Sequence, residues 1–129
     1  MELTLAQPRA LFDVLGDRLR LRVACCLLTV KEGLCVCELV DTLQVSQPNA
    51  SRHLKLMKAA DLVEEQREGR WVYYRLKDAD HPFFNNVRCC IETVCSCDDI
   101  QDDLKRLRAR LKLRRGGKCV VGIQGKRRR

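Results

Sequence analysis

No apolar run in this chain approaches the ~18–20 residues that a membrane span requires. No apolar stretch follows a basic start at the N-terminus, so a secretory signal is not expected either. Only two histidines occur, His53 and His81, too few for zinc or nickel sites built on histidine and carboxylate clusters. No cysteine pair has C-x-x-C spacing and strand-forming stretches are scarce, which argues against a disulfide exchanger or other thiol enzyme. Acids are missing from residues 104–129, which hold twelve Lys or Arg, whereas residues 1–103 carry 13 basic against 17 acidic side chains. The net charge of +8 therefore belongs to the C-terminal stretch and cannot itself argue for nucleic-acid binding. What remains is a soluble, cytoplasmic chain of single-domain length, 129 residues and 46% hydrophobic, with enough apolar content for one modest core.

Against these scarcities stand nine cysteines: Cys25, Cys26, Cys35, Cys37, Cys89, Cys90, Cys95, Cys97 and Cys119. An odd number without an export signal speaks against a disulfide scaffold. Clustered thiols in a reducing compartment point to soft-metal or metalloid ligation, or to redox sensing. Cys25 and Cys26 fall inside an apolar helical pattern, and one of the two reads mainly as core. Cys119 stands alone in the basic C-terminal stretch and receives no role.

The hydrophobic spacing predicts a mainly α fold with one β-hairpin. A short helix spans Leu11 to Leu15. Asp17 caps a second helix carrying Leu19, Leu21, Val23, Ala24, Leu27 and Leu28. Beyond Gly33, Val36, Leu39, Val40 and Leu43 mark one face of a helix over about Cys35 to Leu43. A tight connection leads to Ser46, a cap for a helix running to about Ala60 with Pro48 in its first turn and Ala50, Leu54 and Met57 inward. Val63 to Arg67 and Trp71 to Leu76 flank Gly69 as a hairpin. Pro82 opens a further helix, and Leu104, Leu107 and Leu111 stripe a last one. Residues 1–100 form the main domain and 101–129 a C-terminal helix followed by a flexible basic tail from Arg114, which could serve as an accessory nucleic-acid arm.

Two helices joined by a short turn and followed by a hairpin make a winged helix-turn-helix. The helix after the turn begins with Ser46, Gln47, Asn49, Ser51 and Arg52, with His53 and Lys55 behind, and residues 46–55 contain no acid. Small hydroxyls and amides at a helix N-terminus suit phosphates, Gln and Asn pair with adenine, and Arg pairs with guanine. Arg67 and Arg70 at the hairpin tip suit flanking phosphates.

Leu34-Cys35-Val36-Cys37-Glu38-Leu39, then Leu43, then Ser46-Gln47-Pro48-Asn49-Ala50-Ser51-Arg52-His53-Leu54, closely resembles the ArsR/SmtB family of metalloregulatory repressors. The likeness continues through Leu62-Val63 into Glu68-Gly69-Arg70-Trp71-Val72-Tyr73-Tyr74-Arg75-Leu76 and covers about residues 10–95. The C-V-C-E-L element resembles the arsenic-responsive branch. The resemblance implies a homodimer, paired through its first and fifth helices, that binds operator DNA as a repressor and releases it when As(III) or Sb(III) binds. A two-fold dimer would read two half-sites on successive turns of a pseudo-palindrome.

In that branch the thiolates of the C-V-C element, here Cys35 and Cys37, bind the metalloid; Val40 stands where some members carry a third cysteine. On an ideal helix Cys35 and Cys37 lie about 200° apart, so joint ligation is expected to unwind the helix start. Cys89, Cys90, Cys95 and Cys97 form a second candidate set, similar in layout to sites that some members carry near the end of the fifth helix. The same cysteines could instead form oxidation-sensing disulfides in a repressor of the same fold.

Overall fold

In a computed structural model, which describes residues 2–78 and 80–125, the elements follow the order α1 (Ala6–Leu15), α2 (Arg18–Thr29), β1 (Leu34–Cys35), α3 (Val36–Leu43), α4 (Gln47–Ala59), β2 (Val63–Glu68), β3 (Trp71–Leu76), α5 (Pro82–Val94) and α6 (Asp98–Leu111). This is a winged helix-turn-helix. Among the described residues no helix is long and apolar enough to cross a membrane.

The local reasons match the sequence pattern over most of the chain. The Asp17 carboxylate accepts a hydrogen bond from the Arg20 backbone N–H and caps α2, whose Val23, Ala24, Cys25, Cys26 and Leu27 are buried. Gln44 takes the left-handed conformation after α3, Val45 follows, and the Ser46 hydroxyl accepts from the Asn49 N–H to start α4. Ala50, Leu54 and Met57 point inward as the spacing predicts. Gly69, at φ 62°, turns β2 into β3 with Glu68 opposite Trp71.

The structure departs from expectation at Cys35. Leu34 and Cys35 are a short strand on the free edge of β3, opposite Tyr74 and Tyr73, giving the order β1-β3-β2. The helix starts one residue later than predicted, and Cys35 is its extended N-cap. Gly33 makes this possible: at φ 109° it lies so close to β3 that a Cβ would meet the Tyr74 carbonyl oxygen at 3.1 Å.

The C-terminal stretch also departs. Ile100 and Leu107 of α6 are buried, and α6 packs along α3 and against α2. Buried Asp103 receives Arg22 and Arg106, which also donate to the carbonyls of Leu43 and Thr42 at the end of α3. Residues 114–125, read from sequence as a flexible tail, instead fold back over α3, because buried carboxylates on α3 pair with arginines from this end of the chain. Lys126–Arg129, the last part of the expected basic arm, lie outside the described residues.

Gly33→Ala should destabilise the fold by about 1–3 kcal/mol, the cost of a side chain held in a glycine-only conformation. Urea unfolding monitored by circular dichroism would show the loss; an unchanged midpoint would refute this account of β1.

Candidate thiol centre and nucleic-acid interface

The start of α3 gathers sulfur. Cys35 caps the helix, Cys37 sits in its first turn, and Cys119 arrives from the folded-back segment; the three Sγ atoms lie within 4.8 Å of one another. Cys37 and Cys119 are 3.6 Å apart, and both sulfurs face the Val121 carbonyl. Cys35 and Cys119 are buried and Cys37 is half-buried. The expected helical separation of Cys35 from Cys37 does not arise, because extended backbone at Cys35 turns its sulfur toward the helix start. No unwinding is needed to bring the two sulfurs together.

Burial and electrostatics set the protonation pattern. Hydrogen bonding from the Cys35 thiol, opposed by burial and helped by Cys119 and the Arg110 charge, pulls Cys37 down to about 6. Donating that bond, together with burial, pushes Cys35 up. Burial, with the Glu38 charge nearby, pushes Cys119 up to about 11. Near neutral pH the centre therefore holds one thiolate and two thiols.

Two ion pairs fasten the segment that brings Cys119. Arg114 clamps both oxygens of fully buried Glu38, at 2.7 and 2.8 Å, and donates to the Gly33 carbonyl. Glu38 also accepts the Cys35 backbone N–H at 3.0 Å. One turn along, Arg110 pairs with Asp41 at 2.7 Å and donates to the carbonyls of Val121 and Gly122. Burial works against the Asp41 anion, but the N–H groups of Gly125 and Gln124 and the Arg110 guanidinium hold its carboxyl below the usual range.

Cys119 was missed from sequence because 82 residues separate it from Cys37. A usable signal was the spacing of Glu38 and Asp41 on one helix against Arg110 and Arg114 near the end of another.

The remaining cysteines behave differently. Cys25 and Cys26 are core, and burial pushes both thiols up, Cys26 to about 12. Cys89, Cys90 and Cys97 are exposed and Cys95 is half-buried. Cys89 and Cys90 are neighbours on α5 and diverge by about 100°, while Cys95 and Cys97 flank the α5–α6 turn. Among the described residues, Cys35, Cys37 and Cys119 form such a donor group; Cys89, Cys90, Cys95 and Cys97 do not.

On α4, Gln47, Arg52 and Lys55 are exposed, and Ser46, Asn49 and Ser51 are half-buried on the same N-terminal half. Arg52 donates to the Asn49 side chain at 2.9 Å. At the hairpin, Arg67 and Arg70 are exposed, with Arg70 stacked 4.7 Å over Trp71. His53 is a correction: it is only 6% exposed, so base or phosphate contact is not open to it as placed. Its ring nitrogens lie 3.0 Å from Arg20 and 3.2 Å from Arg52, and burial, then the Arg52 charge, lowers its pKa. It joins α4 to α2.

Residues 17–65 match the family described as bacterial regulatory protein, arsR family. The chain is 47% identical over 70 residues to the arsenic resistance transcriptional regulator ArsR1 of Pseudomonas putida, covering 54% of this chain and 53% of that protein. It is 33% identical over 81 residues to the arsenical resistance operon repressor of Bacillus subtilis, covering 62% and 76% respectively. It thus spans about half the length of several curated relatives, the Pseudomonas protein among them. HlyU from Vibrio cholerae superposes with a TM-score of 0.60 at 29% identity, over 74% of this chain and 95% of HlyU.

Alkylation of Cys37 by iodoacetamide should rise with pH around a midpoint of about 6, as the reactive thiolate forms. In Cys35→Ala the midpoint should move upward, because the strongest hydrogen bond to the thiolate is gone. Mass-spectrometric peptide mapping across a pH series reads both; an ordinary, unshifted thiol midpoint in the wild type would overturn the protonation pattern.

Proposed function

The chain belongs to the arsR family of bacterial regulatory proteins, and from that premise we propose that it is a DNA-binding repressor of a metalloid-resistance operon, released from its operator when As(III) or Sb(III) binds the thiols at the start of α3. One observation carries this reading: the helix that holds the thiols, α3, packs directly against α4, the helix that presents the DNA-facing side chains.

The N-terminus of α4 offers backbone N–H groups, the Ser46 and Ser51 hydroxyls and the positive end of the helix dipole to phosphate. Gln47 and Asn49 suit adenine in the major groove and Arg52 suits guanine. Lys55, Arg67 and Arg70 neutralise flanking phosphates, which makes binding salt-dependent. Two copies related by a two-fold axis read a pseudo-palindrome. The pairing surface is α1 with α5: Leu5 and Phe12 are 85% and 62% exposed, and Phe12 stacks edge-on against Phe83 of α5 at 5.7 Å. Phe12→Glu should yield a monomer in sedimentation equilibrium, with weakened operator binding; a persisting dimer would place the interface elsewhere.

Ligand at the thiols binds one arrangement of the start of α3 better than another, and α4 follows because it packs on the same helix. The affinity difference between the two arrangements is what lowers DNA affinity. The 3.6 Å approach of Cys37 to Cys119 also favours a second reading, in which oxidation to a disulfide is the signal.

Fluorescence anisotropy on DNA from the protein's own upstream region, without oxygen, tests both. Arsenite should release the wild type but not Cys35→Ser/Cys37→Ser. Release of both alike would move the sensor to Cys89, Cys90, Cys95 and Cys97. Release by peroxide, with arsenite inert, would favour the redox reading.

A further inference from the structure

We propose that Cys119 is the third ligand of a trithiolate centre, delivered by the C-terminal strap of residues 112–125, and that this third sulfur selects inorganic trivalent arsenic or antimony over mono-organic trivalent forms. The proposal rests on the inducer reading above and adds the donor set and its selectivity.

The first support is the geometry. Three sulfurs within 4.8 Å of one another are the donor arrangement that a soft, pyramidal trivalent centre needs. The second is that the position of Cys119 is built. Its backbone N–H donates to the Tyr73 hydroxyl at 2.9 Å, while the Tyr73 backbone is the ladder partner of Cys35 on β1. One residue of β3 thus fixes two of the three cysteines. On either side of Cys119 the strap is pinned to α3 and α6, through Arg114 on Glu38 before it, and through Val121, Gly122, Gln124 and Gly125 on Arg110 and Asp41 after it. The third is the state of the neighbouring donors. Glu38 is committed to Arg114 and to the Cys35 N–H, and residue 40, one turn past Cys37, is an apolar valine.

The chemistry balances without an oxidant or reductant. Arsenious acid carries three As–OH bonds. At each cysteine an As–S bond forms and an As–O bond breaks; the Cys35 and Cys119 thiol protons leave with two hydroxyls as water, and at Cys37, already a thiolate, the third hydroxyl leaves as water with a proton taken from solvent. Three waters are released and arsenic stays trivalent. Methylarsonous acid has one As–C bond and two As–OH bonds, so it takes only two sulfurs. Held by Cys35 and Cys37, it would set its methyl group against the buried Cys119 sulfur. The third sulfur therefore adds a bond for one ligand and an obstruction for the other.

Arsenic absorption-edge spectroscopy and direct titration, on full-length wild type and Cys119→Ser without DNA or oxygen, test this with arsenite and methylarsonous acid as probes. Wild type should show three sulfurs per arsenic. Cys119→Ser should show two sulfurs and one oxygen, with arsenite affinity lowered by on the order of 100-fold, the upper end of what loss of even an outer partner costs a metal site. Methylarsonous acid should bind the variant no more weakly than the wild type. Tyr73→Phe, which keeps all three sulfurs but frees the strap, should retain the three-sulfur shell with arsenite affinity lowered by about tenfold.

A three-sulfur shell persisting in Cys119→Ser, or equal losses for both arsenicals, overturns the proposal. Failure of the wild type to bind arsenite overturns it together with the inducer reading. A wild type that binds arsenite through three sulfurs yet keeps its DNA leaves this proposal standing and removes only the release step.

Discussion

Glu38 is wholly buried at the first turn of α3, and a carboxylate at that depth is tolerable only because Arg114 meets both its oxygens. Leaving either charge alone would cost about 3–5 kcal/mol, more than a single surface contact could offset. The pair does more than neutralise itself. The same carboxylate holds the Cys35 N–H, which fixes where the helix begins, and the same guanidinium holds the Gly33 carbonyl, which fixes how the chain enters β1. Without it neither the direction of Cys35 nor the presence of Cys119 follows. The thiol centre is thus a consequence of an ion pair between residues 76 apart.

That separation explains what could be read from sequence and what could not. The caps at Asp17 and Ser46, the inward positions Ala50, Leu54 and Met57, and the turn at Gly69 are local: each depends on a few neighbouring residues whose chemistry the chain displays in order. The exposure of Gln47, Arg52, Lys55, Arg67 and Arg70 follows the same local pattern, and His53 is buried. Three residues after Ala50 and four before Met57, it lies on the inward face of α4, where its ring meets Arg20 of α2. Cys35 was assigned to a helix because its apolar neighbours continue the helical period. The edge of β3 competed for it and won, since a strand edge with unpaired backbone groups rewards even two residues of pairing.

The C-terminal stretch illustrates the same limit more sharply. Twelve basic residues without an acid among residues 104–129 look like a solvated or nucleic-acid-binding tail when counted alone. Their partners, Glu38, Asp41 and Asp103, were counted in a different part of the chain. Net charge by segment hides such complementarity, because it sums over residues that the fold pairs across segments. Of the basic residues there, Arg106 and Arg110 on α6 and Arg114 just beyond its end all reach α3.

The consequence for signalling lies in how α3 is held. It is only eight residues long, so a change at its start has two turns in which to dissipate. Both ends are pinned, however: Glu38 with Arg114 and the thiols at one, and the Thr42 and Leu43 carbonyls with Arg106 and Arg22 at the other. A helix this short and this tightly bonded moves as a unit more cheaply than it unwinds, because unwinding would strand buried backbone groups. In the proposed response, drawing together three sulfurs that lie within 4.8 Å of one another would carry a shift along α3 to the left-handed turn at Gln44 and into α4. In the proposed response the turn between the two helices is therefore the flexible element, and the helices themselves are the levers.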